Sequence, residues 1–484
     1  MPTRRDTFRL MTSSLLLAGA NTGSSLAQTP STVGKRISSE ELAKGTIHRR
    51  AVDAVIWGQP TVSFDAMRQA YFRDAKAKYN DVIWWPNGAG WKNQSLTVNT
   101  SVRYIYFFFN TKDDGPVVLE LPPAADGASF FGTITDSWFL PLVDIGSDGK
   151  DNGKGGKYLV LPPDYTGEVA SDYIAVRPHT YNSYTLVRSI LASNSEEDVR
   201  KGNALVKQMK LYPLSRAANP PEQRFVDMTD IVYEGLVRYD ASFYTSLARM
   251  LNEEPVQPHA LQLMGMLLPL GMEKGTEFKP DAVMTSELNS AAEEAHAWLV
   301  DGLARTSTDR FWPDRKWVVP TPPIGITTLF RWDVPNYFDV DSRGIALASF
   351  FGPTDSLGKG SFYLGCFVDA GGEPLQGTNT YRLHVPANAP VREFWAMTGY
   401  DKETAALFRE STRLTVGSLD NGLRKNADGS VDVYIGPEAP AGQEANWIYT
   451  PAGKDWWPWF RLYGPEQTFF DKTWKLSDIE RVKV

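Results

Sequence analysis

Apolar and polar positions change rhythm several times along the chain, and each change marks a different kind of element. After a capping-box pair at Ser38 and Glu41, Leu42, Ile47, Val52, Ile56 and Trp57 recur at roughly helical intervals. This predicts a helix that ends near Gly58 and Pro60. A second helical pattern runs through Phe64, Met67, Ala70 and Tyr71 towards Asn80. From about Val82 the rhythm shortens to β-rich runs at 102–109, 117–121, 130–135, 158–161 and 173–176, separated by Gly, Pro and Asp-Gly turns. Strands at that spacing without intervening helices predict an antiparallel sandwich or barrel.

Helical spacing returns at 195–210, 226–251, 259–268 and 280–303, with charges of both signs on the exposed faces and Leu, Met and Tyr on the apolar ones. From Trp312 onward the pattern is again strand and turn, apart from a helix expected around 402–410. The fold expected is therefore mainly β with an α-helical insert. Its segments are a pair of N-terminal helices (38–81), a β domain (82–193), a helical connector (194–311) and a second β domain (312–484).

The first residues read differently. Arg4 and Arg5 precede an apolar run from Leu10 to Ala20, and small residues follow up to Ala27. That is the three-part layout of a secretory signal peptide (1–27) with a short linker (28–37) after it. The adjacent arginines point to the twin-arginine route. About a dozen apolar residues cannot cross a bilayer, which needs roughly 20. A periplasmic or secreted protein cleaved near Ala27 is expected, with no transmembrane segment in the mature chain.

Composition narrows the partners. The net charge is −7 and no basic block occurs, so nucleic acid is not expected as a partner. A single cysteine, Cys366, cannot form an internal disulfide, and its apolar setting predicts a buried, inert thiol.

Several stretches share their order and spacing with one family. GPVVLELPPA from Gly115 and GTITDSWFLPLVDIGSDGKDNGKGGKYLVLPPDY from Gly132 resemble an N-terminal signature, and PLGMEKGTEFKPD around Gly271 and Gly275 resembles a helical connector. DAGGEPLQGTNTYRLHVP from Asp369, FWAMTGYDKET from Phe394, RLYGPE and FFDKTWKLSD resemble a C-terminal signature. Together they resemble the bacterial cell-envelope family built from paired domains of unknown function, numbered 1254 and 1214. The resemblance implies an Ig-like N-terminal β-sandwich, a small helical domain and a C-terminal jelly-roll-like β-sandwich. It implies no reaction. Members often carry an aspartate just after the residue matching Asn99; here Thr100 and Ser101 follow.

Candidate chemistry is sparse. The five histidines lack chelating spacing, so no metal and no cofactor is indicated. His384 shares a strand face with Arg382, opposite Leu383 and Val385, and is the best base candidate of the C-terminal half. The loop from Asp144 to Lys157 departs from calcium-loop spacing, and its GKGGK segment feeds a strand instead of opening a helix, so an ordinary turn-rich connection is expected. Asp136 beside Trp138, and Asp369 and Glu373 flanking a Gly-Gly turn, are the acids available for paired-carboxylate chemistry. Of the 15 tryptophans, Trp447, Trp456, Trp457, Trp459 and Trp474 gather near the C-terminus. With Asn446, Arg461 and Tyr463 they offer ring faces and oriented polar groups for a sugar or another ring-bearing ligand, although the same tryptophans fill a core or an interface equally well. Arg461 and Tyr463 alternate with Leu462, which gives that strand one polar-aromatic face. The expected function is an exported hydrolase or lyase acting on a carbohydrate-like or other ring-containing substrate. Its catalytic candidates are Asp136, Asp369, Glu373 and His384, and its ligand candidates are Trp138, Arg382, Asn446, Trp447, Arg461 and Tyr463. The alternative is a non-catalytic, homo-oligomeric or ligand-binding envelope protein.

Overall fold

Helix α1 (Ser39–Arg73) opens with the predicted capping box: the Glu41 amide donates to Ser38 Oγ at 3.1 Å and the Ser38 amide to the Glu41 carboxylate at 2.8 Å. In the computed structural model, residues 37–125, 127–319, 327–349, 361–411 and 413–483 are described. The signal-peptide expectation lies outside them.

One long helix stands where two were expected, because it runs through Pro60 without ending. Proline removes an amide donor and leaves a carbonyl one turn earlier without its helical partner. That carbonyl, of Ile56, lies against Gly344, where a Cβ would come within 2.7 Å of it. The next carbonyl, of Trp57, accepts from Arg343 Nη2 at 3.0 Å. A neighbouring helix thus covers the carbonyl that Pro60 leaves open and bonds the next one.

The N-terminal β region contains β1 (Val82–Trp84), β2 (Arg103–Asn110), β3 (Val117–Leu121), β4 (Ala128–Asp136), β5 (Pro141–Gly146), β6 (Gly156–Val160), β7 (Tyr173–Val176), β8 (Asn182–Leu191), β9 (Lys210–Pro213) and β10 (Phe225–Asp227). They form a six-stranded sheet, β10-β1-β2-β8-β4-β5, and a four-stranded sheet, β9-β3-β6-β7. Strand β2 shows how the sequence serves two cores. Ile105, Phe107 and Phe109 pack with Val117, Leu119 and Tyr158 inside the sandwich, while Tyr104, Tyr106 and Phe108 join the large central cluster on the opposite face.

The middle of the chain is helical, as expected, but shorter in its elements. The expected helix over 226–251 is instead strand β10, which pairs in parallel with β1, and then α2 (Ala241–Glu253). Sheet pairing overrides the local spacing there, and Asp240 starts the helix by accepting from the Ser242 amide. Helix α3 (Ala282–Thr306) follows, packed against α4 (Val340–Ser349). Helix α4 was not expected, since strand and turn were predicted from Trp312 onward.

The C-terminal sandwich contains β11 (Ser361–Gly365), β12 (Thr380–Val385), β13 (Val391–Asp401), β14 (Thr415–Gly417), β15 (Val431–Gly436), β16 (Trp447–Tyr449), β17 (Trp456–Pro465) and β18 (Ile479–Val482). Its sheets run β11-β17-β13-β14 and β16-β15-β12-β18. The helix expected around 402–410 is a series of turns, because Ala405 (φ 53°) and Glu410 (φ 61°) adopt left-handed backbone that ends any helix. The architecture is mainly β, with helical segments in the middle and sheets that stack as sandwiches. Among the described residues, no helix is long and apolar enough to cross a membrane.

Candidate functional site

Strand β17 is buried along nearly its whole length between β11 and β13. Strand alternation puts Trp457, Trp459, Arg461 and Tyr463 on one face and Phe460 and Leu462 on the other. The first face meets the loop that leads into β2. Arg461 Nη2 donates to the Thr97 carbonyl at 3.0 Å, Tyr400 Oη donates to the Val98 carbonyl at 2.8 Å, and the Asn99 side-chain amide donates to Tyr463 Oη. Thr100 and Ser101 are used locally: Thr100 Oγ1 donates to Thr415 Oγ1 at 2.7 Å, and the Ser101 amide to Asn99 Oδ1 at 2.9 Å. One short loop therefore joins the two sandwiches through polar contacts to β17 and its neighbours.

Among the described residues, no carboxylate pairs with Arg461. Its guanidinium lies 4.9 Å from the Tyr363 ring centre and 5.6 Å from that of Tyr400, and Nε and Nη1 are buried without a hydrogen-bond partner among the described residues. Arg188, on β8, approaches from the N-terminal sandwich, 5.9 Å from the rings of Tyr104 and Phe131. Burial raises the Tyr363 phenol, but Arg188 and Arg461 together with hydrogen bonds from Ser361 and Tyr463 outweigh it, so this phenol stands below its ordinary value. Burial drives Tyr463, its neighbour, well above it.

Tyr463 also faces a cleft of about 540 Å³ between the sandwiches. Its ring stacks on Phe394 at 4.2 Å and 18°. Arg103, Arg392, Glu393 and Asp420 supply charge to the walls. Arg103 donates through Nε to the Pro86 carbonyl at 3.1 Å and through Nη1 to Asn194 Oδ1 at 3.2 Å. Burial raises the carboxyls of both Glu393 and Asp420, against the pull of Arg392 on the first and of the Gly417 amide on the second.

The other candidates lie elsewhere. Asp136 is buried at the end of β4 and accepts from the amides of Trp138 (2.8 Å) and Leu140 (2.9 Å); burial raises its carboxyl, opposed by those two bonds and by His179 and Arg343. Trp138 packs on Trp57 at 4.9 Å and beneath the Arg343 guanidinium at 5.1 Å. Asp369 accepts from the Glu373 amide at 3.0 Å within one turn. His384 Nδ1 bonds Asp432 at 2.8 Å, and Arg382 pairs with Glu480 at 2.8 Å. Asn446 is buried and donates to the carbonyls of Arg424 and Asp432, and Trp447 Nε1 donates to the Gly436 carbonyl at 3.0 Å. Among the described residues, the cleft lining includes Tyr463 but none of Asp136, Asp369, Glu373 and His384.

Three tryptophans of the C-terminal group, Trp456, Trp457 and Trp459, are core side chains. Cys366 is buried too, with its thiol pushed up to about 12 by burial. In the glycine-rich loop, Asp151 accepts from the amides of Gly146 and Gly155 and from the Tyr158 hydroxyl, so its carboxylate organises the turn. Sequence reasoning missed Tyr363, Arg188, Arg103, Arg392, Glu393 and Asp420. Each sits in an unremarkable strand or turn, and only the docking of the two sandwiches gathers them. The signal that was legible is the Arg461–Leu462–Tyr463 alternation.

Two family models match the chain: Protein of unknown function (DUF1254) over residues 79–213 and Protein of unknown function (DUF1214) over 360–467. No curated protein matches. The crystal structure of the VPA0106 protein from Vibrio parahaemolyticus is similar with a TM-score of 0.54 at 18% identity, covering 90% of this chain and 100% of that one. A protein from Burkholderia cenocepacia aligns over 91% of this chain and 96% of its own with a TM-score of 0.42 and 13% identity. The first likeness supports the fold across both sandwiches.

Proposed function

We propose that this chain, which belongs to the family pairing an N-terminal DUF1254 domain with a C-terminal DUF1214 domain, binds a small ring-bearing acid in the cleft between its sandwiches. The observation that carries the reading is the Arg461 guanidinium: buried, among the described residues without a carboxylate and with two unpartnered nitrogens, and two positions from the tyrosine that lines the cleft. A buried cation whose donors lack acceptors is costly to keep, and an anion that reaches it recovers that cost. Arg103 and Arg392 on the wall supply further cationic contacts, and the Phe394–Tyr463 stack supplies a ring face.

A sugar acid and an aromatic acid share this chemistry, a carboxylate on a ring, and melting experiments separate them. Benzoate and glucuronate are compared with benzyl alcohol and glucose. A ligand that binds only the folded state at a hundred times its Kd stabilises by about 2.7 kcal/mol. The expected result is a rise in melting temperature with one acid, none with its neutral counterpart, and loss of the rise in Arg461→Met. If all four compounds leave the melting temperature unchanged, the reading is wrong.

A second reading, turnover of that ligand by a hydrolase or lyase, draws on Glu393 and Asp420. Both carboxyls are raised by burial and both line the cleft, which keeps either one available as a proton donor. Export fits either reading: Arg4, Arg5 and the apolar run after them direct the protein out of the cytoplasm, and recovery of a chain beginning near Gln28 from the periplasmic fraction tests it.

A further inference from the structure

A second cavity lies where the helical segment packs on the C-terminal sandwich, and it shares no lining residue with the cleft. It measures about 140 Å³, and its walls include Val300 and Leu303 of α3, Ala348 of α4, Phe367 from the chain between β11 and β12, and Trp457 of β17. An apolar cavity of about 150 Å³ takes up one benzene ring and stays free of water. This one therefore has room for a six-membered aromatic ring.

Two further lining residues, Trp456 and His296, bring polar atoms to the apolar wall. Trp456 is 1% exposed, and its Nε1 is buried without an acceptor among the described residues. An indole N–H in that position costs free energy until something accepts from it. His296 stacks on Tyr239 at 4.0 Å and 14°, and its Nε2 donates to the Glu403 carbonyl at 2.9 Å. A carbonyl only accepts, so the imidazole proton sits on Nε2, and Nδ1 of the neutral ring is left as an acceptor. The charged residues of the lining are already paired, Lys402 with Asp455 at 3.6 Å and Glu403 with Lys454 at 3.4 Å. Among the described residues the wall thus offers a donor and an acceptor but no unpaired charge.

We propose that this cavity binds a small neutral aromatic alcohol of the size of phenol, whose hydroxyl oxygen accepts from Trp456 Nε1 and whose proton is donated to His296 Nδ1. The ring fills the apolar volume, and the hydroxyl answers both polar atoms at once. The site stands apart from the ligand reading above: the cleft takes an acid, and this cavity takes a ring without charge.

The test reads the indole itself. The protein is labelled with ¹⁵N-tryptophan, and the indole N–H resonances of its 15 tryptophans are followed by NMR during titration with phenol, benzene or benzoate. The Trp456 resonance is the one missing from Trp456→Phe. Phenol is expected to move it saturably and to bind roughly threefold to tenfold more tightly than benzene, the difference that one hydrogen bond makes. Benzoate is expected to leave it in place. Calorimetry should find the preference for phenol over benzene reduced in His296→Phe and in Trp456→Phe, both of which keep a ring but lose a polar atom. If Trp456→Phe does not fold, Ala304→Phe decides. Ala304 lines the cavity from an exposed position on α3, so a larger side chain there blocks the space without entering the core, and the phenol-induced shift should vanish. Phenol that moves no indole resonance, or moves one equally well in Ala304→Phe, overturns the proposal. So does benzene that binds as tightly as phenol, or benzoate that moves the same resonance. Unchanged melting with benzoate and glucuronate would end the cleft reading and leave a phenol shift at Trp456 standing.

Discussion

Two arginines in this protein are equally buried and opposite in their surroundings. Arg68 and Arg461 are each 2% exposed. Arg68, on α1, is enclosed by partners: Asp65 at 2.7 Å, Glu253 at 2.6 Å, Asn182 at 3.1 Å and the Tyr79 hydroxyl at 3.0 Å. The same Asp65 also takes Arg249 and the Ser246 hydroxyl. Arg461 has one backbone carbonyl and a surround of tyrosine rings. A cation with all its donors answered holds elements together, here α1, α2 and the start of β8. A cation left half answered two residues from a tyrosine that lines a cleft is the kind of group that a ligand completes. Burial alone does not separate the two; the list of partners does.

The largest expected effect breaks the first arginine. Arg68→Met strips a shared cation from Asp65, which keeps Arg249, and from the part-exposed Glu253, so the loss falls at the lower edge of the roughly 3 to 5 kcal/mol that breaking a fully buried pair costs. Chemical denaturation would measure it as a fall in midpoint at unchanged slope. A loss below 1 kcal/mol would show that Arg68 does not anchor α1 and would remove the contrast with Arg461.

How much of this contrast was legible in sequence depends on how far apart the partners lie. The strand rhythm and the helical middle were readable because alternation and turn residues are local, and Arg461 and Tyr463 were readable as a polar-aromatic strand face. The route of α1 through Pro60 was not, since it depends on Gly344 and Arg343 of a helix almost 300 positions later. Nor was the site itself: Asn99, Arg188, Tyr363 and Glu393 come from four separate strands or loops, and no single-chain pattern joins them. The turns at 402–410 misled because Ala405 and Glu410 look like helix formers, while tertiary contacts hold them in left-handed backbone.

The second effect concerns a carboxylate that is the anionic counterpart of Arg461. Glu254, beside Glu253, is buried and accepts from the amides of Tyr181 and Asn182 and from the Asn182 side chain, and no guanidinium contacts it among the described residues. Burial pushes its carboxyl up to about 7, with Glu253 adding repulsion, while those hydrogen bonds resist. The folded state then binds more protons than the unfolded one between about 4.5 and 7. Its contribution to stability is therefore full below about 4.5 and lost as pH rises to about 7, a difference on the order of 3 kcal/mol. Glu254→Gln cannot ionise, so its stability relative to the natural protein should climb over that window. If the two proteins keep a constant difference from pH 4.5 to 7, Glu254 is ionised throughout and the likeness to Arg461 fails.

The smallest effect is the most discriminating. In Arg461→Met a flexible apolar chain of similar reach replaces a buried charge that bonds the Thr97 carbonyl and, among the described residues, pairs with no carboxylate. Removal leaves the Thr97 carbonyl with only the long 3.4 Å bond from Tyr400 Oη, a cost of about 1 kcal/mol, and forfeits the contacts to the Tyr363 and Tyr400 faces, worth about 2 kcal/mol when desolvated. Against both stands the relief of a guanidinium whose Nε and Nη1 were stripped of water without replacement, which for buried ions reaches several kcal/mol. The terms nearly cancel, so denaturation should find the variant within about 1 kcal/mol of the natural protein, while its response to ring-bearing acids is gone. A loss as large as that of Arg68→Met would mean that Arg461, too, is a structural anchor. A near-neutral variant separates the two arginines as the partner lists do, because a residue that contributes little to folding and everything to ligand response is retained for the ligand.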